Sequence, residues 1–238
     1  MSRLWATVES RTYWDDAARR AGPWYVSTGH RDDDEEFFAQ GAREVDTYLA
    51  FCGVVAGADQ VALEIGCGVG RMTRRLSQVF GRVIAVDVSE EMLRRCRENL
   101  SSFPNVACRA VAGDGSLGGI GDGEVDVVFS YLTFQHVPEA AAQLAYFDSC
   151  ARVLSPGGKL AVQIRSCSRR DTLLSYLAAL GHLAKGRRTL SRPWRGSRVE
   201  APVVVERLRA RGVEATVRPW PHHPRWSPEH WWVVGTKS

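Results

Sequence analysis

The chain runs to 238 residues, 45% of them hydrophobic and 24% charged, with a formal net charge of +4. This is apolar material enough for a three-layer core in one unit, while no apolar run is long enough to span a bilayer. Residues 1–10 hold neither a basic leader nor an apolar stretch, and the six cysteines are scattered without a Cys-x-x-Cys pair, so a reduced, cytoplasmic protein with neither a zinc site nor a disulfide framework is expected.

Residues 1–59 show no strand pattern and lean acidic, with eleven Asp or Glu against six Arg. They carry Trp5, Tyr13, Trp14, Trp24 and Tyr25, and the expectation is a helical, loosely packed cap. The acids of residues 32–36 load the start of a helix that runs through Phe37, Phe38, Val45, Tyr48, Leu49 and Phe51, where negative charge suits the macrodipole.

A buried strand over residues 61–65 then feeds Gly66, Cys67, Gly68, Val69, Gly70 and Arg71. Glycines at alternating positions let the backbone pass close to a ligand where a Cβ would collide, and the helix that follows aims its N-terminus at the same place. A dinucleotide fingerprint requires glycine where Arg71 stands, and an ATPase-type phosphate loop requires Gly-Lys followed by Ser or Thr. What remains is Glu-x-Gly-x-Gly-x-Gly beginning at Glu64, with Cys67 meeting the demand for a small side chain.

Residues 82–87 form a second strand and end in Asp87, about twenty residues beyond the loop, where ribose-binding acids sit; Asp87 is the expected acceptor for ribose hydroxyls. After Val88, Ser89 caps a helix with Met92 one turn inside it. A third strand, residues 106–111, enters the turn Ala112-Gly113-Asp114-Gly115-Ser116. The fourth, residues 125–131, is nearly all β-branched or aromatic, as a strand covered on both faces should be. Ligands of open α/β sheets lie outside the carboxyl ends of the strands, so Tyr131, Gln135 and His136 should line the reacting end of the pocket. Pro138 opens a helix to about residue 153, a turn follows at Ser155-Pro156-Gly157-Gly158, and residues 159–165 make a fifth strand.

Residues 166–198 interrupt this alternation with an amphipathic segment, 171–185, and a basic stretch. Over residues 165–198 there are nine Arg or Lys against one acid, Asp171. A helix over residues 201–211 stops at Gly212, and strands over 213–220 and 230–237 close the pattern. Between them His222 and His223 lie among Pro and Trp residues; adjacent histidines cannot easily share one metal, so a rigid loop is expected and no metal site.

Taken together, Glu64 to Gly70, Asp87, Asp114 and the Pro-Gly-Gly lead-in resemble the class I S-adenosylmethionine-dependent methyltransferases, with specificity over about residues 61–165. The resemblance implies an α/β, Rossmann-like seven-stranded sheet, mostly parallel with an antiparallel C-terminal hairpin and helices on both faces. It divides the chain into an N-terminal helical cap (1–59), a cofactor-binding core (60–165), a basic helical lid (166–198) and a last helix with its hairpin (199–238). S-adenosylmethionine is the implied cofactor, and Glu64 suits its ammonium and sulfonium charges. Gly66, Cys67, Gly68 and Gly70 would form the loop around it, with Asp87 and Val88 at the ribose, Met92 on the adenine ring or simply in the core, and Gly113, Asp114 and Gly115 at the adenine amino group and ring nitrogens or simply in a turn. Tyr131 and Gln135 would orient cofactor or substrate. N-terminal helices fold over the cofactor in many such enzymes, so Tyr13, Trp14, Trp24 and Tyr25 are lid candidates or packing residues.

A methyl group on sulfur is already activated, so the protein must chiefly place a nucleophile in line and exclude water. A hydroxyl or ammonium must also lose a proton, and His136 is the one imidazole in the core motifs placed to take it. The expected acceptor is an O or N atom of a small molecule, a quinone-like compound or a bacterial secondary metabolite. The basic insertion, with Arg169 and Arg170, either docks on the acidic cap or attracts an anionic substrate, which leaves RNA or a carrier-bound substrate as the alternative. Nucleic acid is demoted because Tyr131-Leu132-Thr133-Phe134 replaces the Asn/Asp-Pro-Pro-aromatic signature of amino-methylating nucleic-acid enzymes. A homologue that binds the cofactor without transferring methyl is the third reading, and no membrane partner is expected.

Overall fold

The computed structural model describes residues 3–26, 35–166, 196–220 and 230–238, with side chains from Val8 to Arg20 in the first of these segments. Two helices come first, α1 (Arg3–Val26) and α2 (Glu35–Cys52). Then β1 (Val61–Ile65), α3 (Thr73–Val79), β2 (Arg82–Asp87), α4 (Glu90–Asn99) and β3 (Val106–Ala110) form two parallel units. A second half follows as β4 (Val125–Ser130), a 3₁₀ turn (Phe134–His136), α5 (Ala140–Val153) and β5 (Leu154–Arg165). After the 167–195 segment come α6 (Ala201–Arg209), β6 (Val213–Pro219) and β7 (His230–Lys237).

The strands form one sheet in the order β3-β2-β1-β4-β5-β7-β6, parallel except that β7 runs antiparallel to both β5 and β6. This is the expected seven-stranded architecture. Side-chain alternation along each strand splits the core in two. Leu63, Ile65, Ile84, Val86, Val128, Leu160 and Val162 face α5 and α6, whose Phe147, Val204 and Leu208 are fully buried against them. Ala62, Val83, Val127, Phe129 and Trp232 face the other way, against Val45, Tyr48 and Leu49 of α2 and Leu76 of α3. Burying each such large side chain contributes roughly 1.5–3 kcal/mol, and the closed sheet faces are what fix the strand ends where the site lies.

Two expectations are corrected. The Ser155-Pro156-Gly157-Gly158 turn lies inside β5, because Val125 pairs with Leu154 and Val127 with Lys159, leaving residues 155–158 bulged opposite Asp126. The Asp126 carboxylate stabilises that bulge, accepting from Ser155 Oγ at 2.8 Å and from Val61 N of the neighbouring strand at 2.8 Å. The N-terminal helices are also not loosely packed. Phe37 and Val45 are fully buried, and Gly41 presses α2 so closely on Arg71 that a Cβ there would stand 2.6 Å from the Arg71 carbonyl oxygen. Asp15 of α1 accepts from Ser89 Oγ at 2.6 Å and from Glu91 N at 3.2 Å, which pins α1 to the N-terminus of α4.

Candidate cofactor site

A cavity of about 510 Å³ opens at the carboxyl ends of β1, β2 and β4, within the ~300–1,000 Å³ that cofactor pockets occupy. Its floor is the glycine loop. Gly66 N and Cys67 N both donate to Val86 O of β2, at 2.7 and 3.1 Å, and Gly66, Gly68 and Gly70 all sit at positive φ (80°, 53° and 92°). The three glycines do different work. Gly66 and Gly68 line the cavity, whereas a Cβ on Gly70 would meet Cys96 Sγ and Leu100 Cδ1 at 3.0 Å, so that residue lets the loop rest on α4. Cys67 likewise points away, into a cluster with Ala85, Leu93 and Cys96. A hydrogen bond with Cys96 lowers its pKa, but burial wins and pushes the Cys67 thiol up to about 12, which leaves no thiolate for catalysis.

Asp87 stands at the cavity wall as expected. Its two oxygens accept separately, Oδ2 from Gly68 N at 2.9 Å and Oδ1 from Ser89 N at 3.0 Å, so one carboxylate ties the loop to the next helix. A carboxylate offers about four acceptor sites, so Asp87 retains capacity to accept from a hydroxyl in the cavity. Burial raises the Asp87 pKa, while the N–H groups of Ser89, Gly68 and Val88 act to lower it. Val88, Met92, Val111 and Gly113 also line the cavity, the first three adding apolar surface. Met92 lines the cavity and also packs with Ala18, Phe37, Phe38 and Val69.

Three further residues named from sequence are not part of the cavity lining. Glu64, at the penultimate position of β1, alternates onto the face toward α3, where it is 4% exposed and accepts from Thr73 Oγ1 at 2.6 Å. Asp114 is exposed and closes its own turn, accepting from Ser116 N at 2.8 Å and from Ser116 Oγ at 2.7 Å. Gly115 permits close packing on α5, since a Cβ would fall 2.5 Å from both Ala142 O and Ala145 Cβ.

Burial pushes the Glu64 carboxyl up to about 7, against lowering by the Thr73 hydrogen bond and by Arg71, with Asp87 adding a further raise. The native state therefore holds a proton that the unfolded chain releases near pH 4.5, and native stability falls as pH rises from about 4.5 to about 7. The loss is at most about 3 kcal/mol for a shift of that size. Glu64→Gln keeps an acceptor for Thr73 and removes the titration. Urea unfolding between pH 5 and 8 should show a falling midpoint in the wild type and a nearly level one in the variant; parallel slopes would show that Glu64 ionises normally.

The far wall comes from the end of β4. Ser130 Oγ donates to Ile65 O at 2.8 Å, and the chain then turns sharply at Leu132, which has a φ of 55° and whose N–H is received by the buried Gln163 Oε1 at 3.1 Å. That left-handed residue sends Thr133, Gln135 and His136 over the glycine loop. Tyr131 bonds Tyr48 through their hydroxyls at 3.1 Å and lies parallel to Trp232 at 6.0 Å. Burial raises the pKa of both phenols well above the ordinary value, so both hydroxyls keep their protons. Gln135 Nε2 is 3.1 Å from His136 Nε2, and Trp14 of α1 meets the His136 ring edge-on at 5.2 Å. Trp14 thus belongs to the cavity wall, while Tyr13 packs on Trp14 from behind at 5.2 Å.

Trp24 and Tyr25 have no described side chain, and Arg169, Arg170, Arg187, Arg188, Arg192 and Arg195 lie outside the described residues. The insertion's described flanks return to the site. Gly196 abuts the Gln135 carbonyl, Ser197 Oγ donates to Val137 O at 2.8 Å, and Gln143 Nε2 donates to Ser197 Oγ at 2.7 Å. Sequence reasoning missed the contribution of Ser10, Gln40, Glu44, Arg71, Trp220 and His230 to the wall. Among the described residues no cluster of three His, Cys, Asp or Glu is arranged to hold a metal, and no helix is long and apolar enough to cross a membrane.

Comparison with known proteins agrees with this geometry. Residues 63–162 match the family model described as a methyltransferase domain. A ubiquinone biosynthesis O-methyltransferase of Methylococcus capsulatus is 31% identical over 126 residues, 51% of this chain and 50% of the relative. A demethylmenaquinone methyltransferase of Tropheryma whipplei is 31% identical over 133 residues, 56% and 52% of the two chains. The match thus spans about half the length of each relative. The crystal structure of magnesium protoporphyrin IX methyltransferase from Synechocystis, holding S-adenosylhomocysteine, superposes with a TM-score of 0.65 at 18% identity over 96% of this chain and 98% of that one. Sheet order, loop and matched segment coincide: the chain carries a class I S-adenosylmethionine-dependent methyltransferase domain.

Proposed function

We propose that the chain transfers a methyl group from S-adenosylmethionine to an O or N atom of a small, largely apolar acceptor of the quinone or secondary-metabolite kind. The observation that carries this reading is the make-up of the cavity's lining. One cavity is lined by the glycines Gly66 and Gly68, the acid Asp87 and apolar Val88, Met92 and Val111, together with Trp14, Tyr131, Leu132, Phe134, Trp220 and His136. The names of the two quinone-pathway relatives favour the same acceptor class. The cofactor, when bound, supplies a methyl group on a positively charged sulfur.

The protein's own part is to bind, orient and remove a proton. The aromatic wall strips water from a planar acceptor and holds it against the loop. An imidazole nitrogen has one lone pair, so the base is the tautomer in which His136 Nε2–H donates to the Gln135 amide, turned to present Oε1, and Nδ1 takes the acceptor's proton. The Gln135 contact then stays in place through the transfer. Gln135 is thus a positioning residue for the base. Trp14, packed edge-on, keeps the ring from swinging away.

The test is transfer of labelled methyl to a panel of catechols, hydroxyquinones and aromatic amines, with His136→Ala alongside. The variant should keep wild-type affinity for S-adenosylhomocysteine, lose about 10²–10⁴-fold in kcat, and lose the acidic limb of the pH–rate profile. Unchanged turnover in His136→Ala would remove the base assignment. Transfer to RNA in place of every small acceptor would remove the substrate class.

A further inference from the structure

Gln163 is a buried polar residue in β5 that the reaction scheme above does not use. It is fully buried, and it pairs across the sheet with the equally buried Trp232 of β7. Strand parity puts it on the face of Ala161, where packing alone would favour a Leu or Met of similar size. Both ends of its amide are engaged. Nε2 donates to Ile164 O at 3.1 Å, which leaves Oε1 to accept from Leu132 N at 3.1 Å, just beyond the last β4–β5 pair, Ser130 with Val162.

Leu132 is the one non-glycine residue at positive φ among the described residues. A leucine has no side-chain hydrogen bond with which to favour that conformation, so the surroundings must impose it. Release to the ordinary helical range would turn the chain by roughly 120° about the N–Cα bond of Leu132. Everything immediately downstream depends on that angle. Thr133 rests on the glycine loop through Oγ1 and Gly66 O at 3.4 Å, and Thr133 O receives His136 N at 2.9 Å, so the turn bearing Gln135 and His136 starts where Leu132 directs it. We propose that Gln163 is a positioning residue for the reacting end of the cavity: by accepting from Leu132 N it holds that residue left-handed and thereby sets His136 over the glycine loop. Its effect on rate rests on the function proposed above, whereas its effect on the place of His136 rests on the geometry alone.

The test compares histidine-ring NMR and methyl transfer in wild type, Gln163→Met, Gln163→Glu, Leu132→Gly and the double variant Leu132→Gly/Gln163→Met. The His136 signals are identified by their loss in His136→Ala, and they report position because the Trp14 ring meets His136 edge-on at 5.2 Å. Gln163→Met keeps the volume and removes the acceptor. It should shift the His136 signals and lower kcat on the best of the catechols, hydroxyquinones and aromatic amines on the order of 10- to 100-fold, with S-adenosylhomocysteine affinity within about threefold of wild type. Gln163→Glu, held protonated by burial, accepts from Leu132 with one oxygen and donates to Ile164 with the other, and should restore both the signals and the rate. Leu132→Gly lets the backbone enter the left-handed region without the penalty, so the loss that Gln163→Met causes should shrink roughly tenfold in that background. A glutamine that only filled space in β5 would cost the same in both backgrounds. Unmoved His136 signals in Gln163→Met, or equal losses in the two backgrounds, overturn the proposal. Should Gln163→Met fail to fold, wild-type hydrogen exchange decides: the Leu132 amide should exchange as slowly as those of β4, and exchange at the rate of an open loop overturns the proposal. Wild type that transfers methyl to no acceptor, or a fully active His136→Ala, counts against the function proposed above, and the His136 signals then judge Gln163 by themselves.

Discussion

Gly66→Ala removes measurable S-adenosylhomocysteine binding and destabilises the apo-protein by about 3 kcal/mol or more, the sum expected from two separate costs. The first is conformational: φ at Gly66 is 80°, a region L-residues enter at roughly 1–2 kcal/mol. The second is steric, because a Cβ would overlap Cγ2 and Oγ1 of Thr133 and stand 2.7 Å from its Cβ. Thr133 cannot retreat freely, since its Oγ1 is committed to Gly66 O and Tyr131 O at 3.4 and 3.2 Å. Gly53 supplies the control, with a φ of 69° and nothing within 4 Å of its Cβ position. Gly53→Ala should carry the conformational cost alone and leave binding intact. Urea unfolding and calorimetry on both variants check this; equal effects would mean that the crowding at Thr133 relaxes away.

Asp87→Ala weakens S-adenosylhomocysteine binding on the order of 100-fold, through two losses that the structure separates. One is the proposed acceptor for the ribose hydroxyls, where charged hydrogen bonds are worth roughly 1.5–3 kcal/mol. The other is internal: Gly68 N and Ser89 N lose their partner, so the loop is no longer tied to α4. Asp87→Asn offers one carbonyl oxygen to these two donors and should fall between wild type and Asp87→Ala. Equal affinity of wild type and Asp87→Ala for S-adenosylhomocysteine would remove the ribose assignment.

The sheet was readable because its signals are local and repeated. Val125 to Ser130 could only be a strand buried on both faces, and Asp87 ends a strand at the distance where a ribose acid stands. What escaped the sequence depended on direction. Glu64 looks like part of the glycine motif, but its parity along β1 carries the carboxylate to the face beneath Thr73. Asp114 is engaged by Ser116 two positions on, a local bond that spacing between motifs does not announce. Arg71 entered the sequence argument only as the residue that spoils a dinucleotide fingerprint; its place on the wall is set by Gly41 and Glu44, thirty and twenty-seven positions upstream, a pairing that no periodicity announces. Trp220 and His230 reach the cavity because β7 folds back between β5 and β6, which brings both ends of that connection under Tyr131.

That fold-back also dictates an order of events during synthesis. β6 leaves the ribosome before β7, yet its sheet neighbour is β7, and β7 must itself pair with β5, joining Lys159 to Thr236 across 77 positions. The parallel strands can assemble while the chain grows, but until β7 arrives one long flank of β5 presents unpaired N–H and C=O groups, and Val213 and Ala215 have no layer to enter. Long-range antiparallel closure of this sort is slow, and an open strand edge is a template for a second chain. Nascent molecules of this protein are therefore most exposed to aggregation in the interval between completing β5 and completing β7.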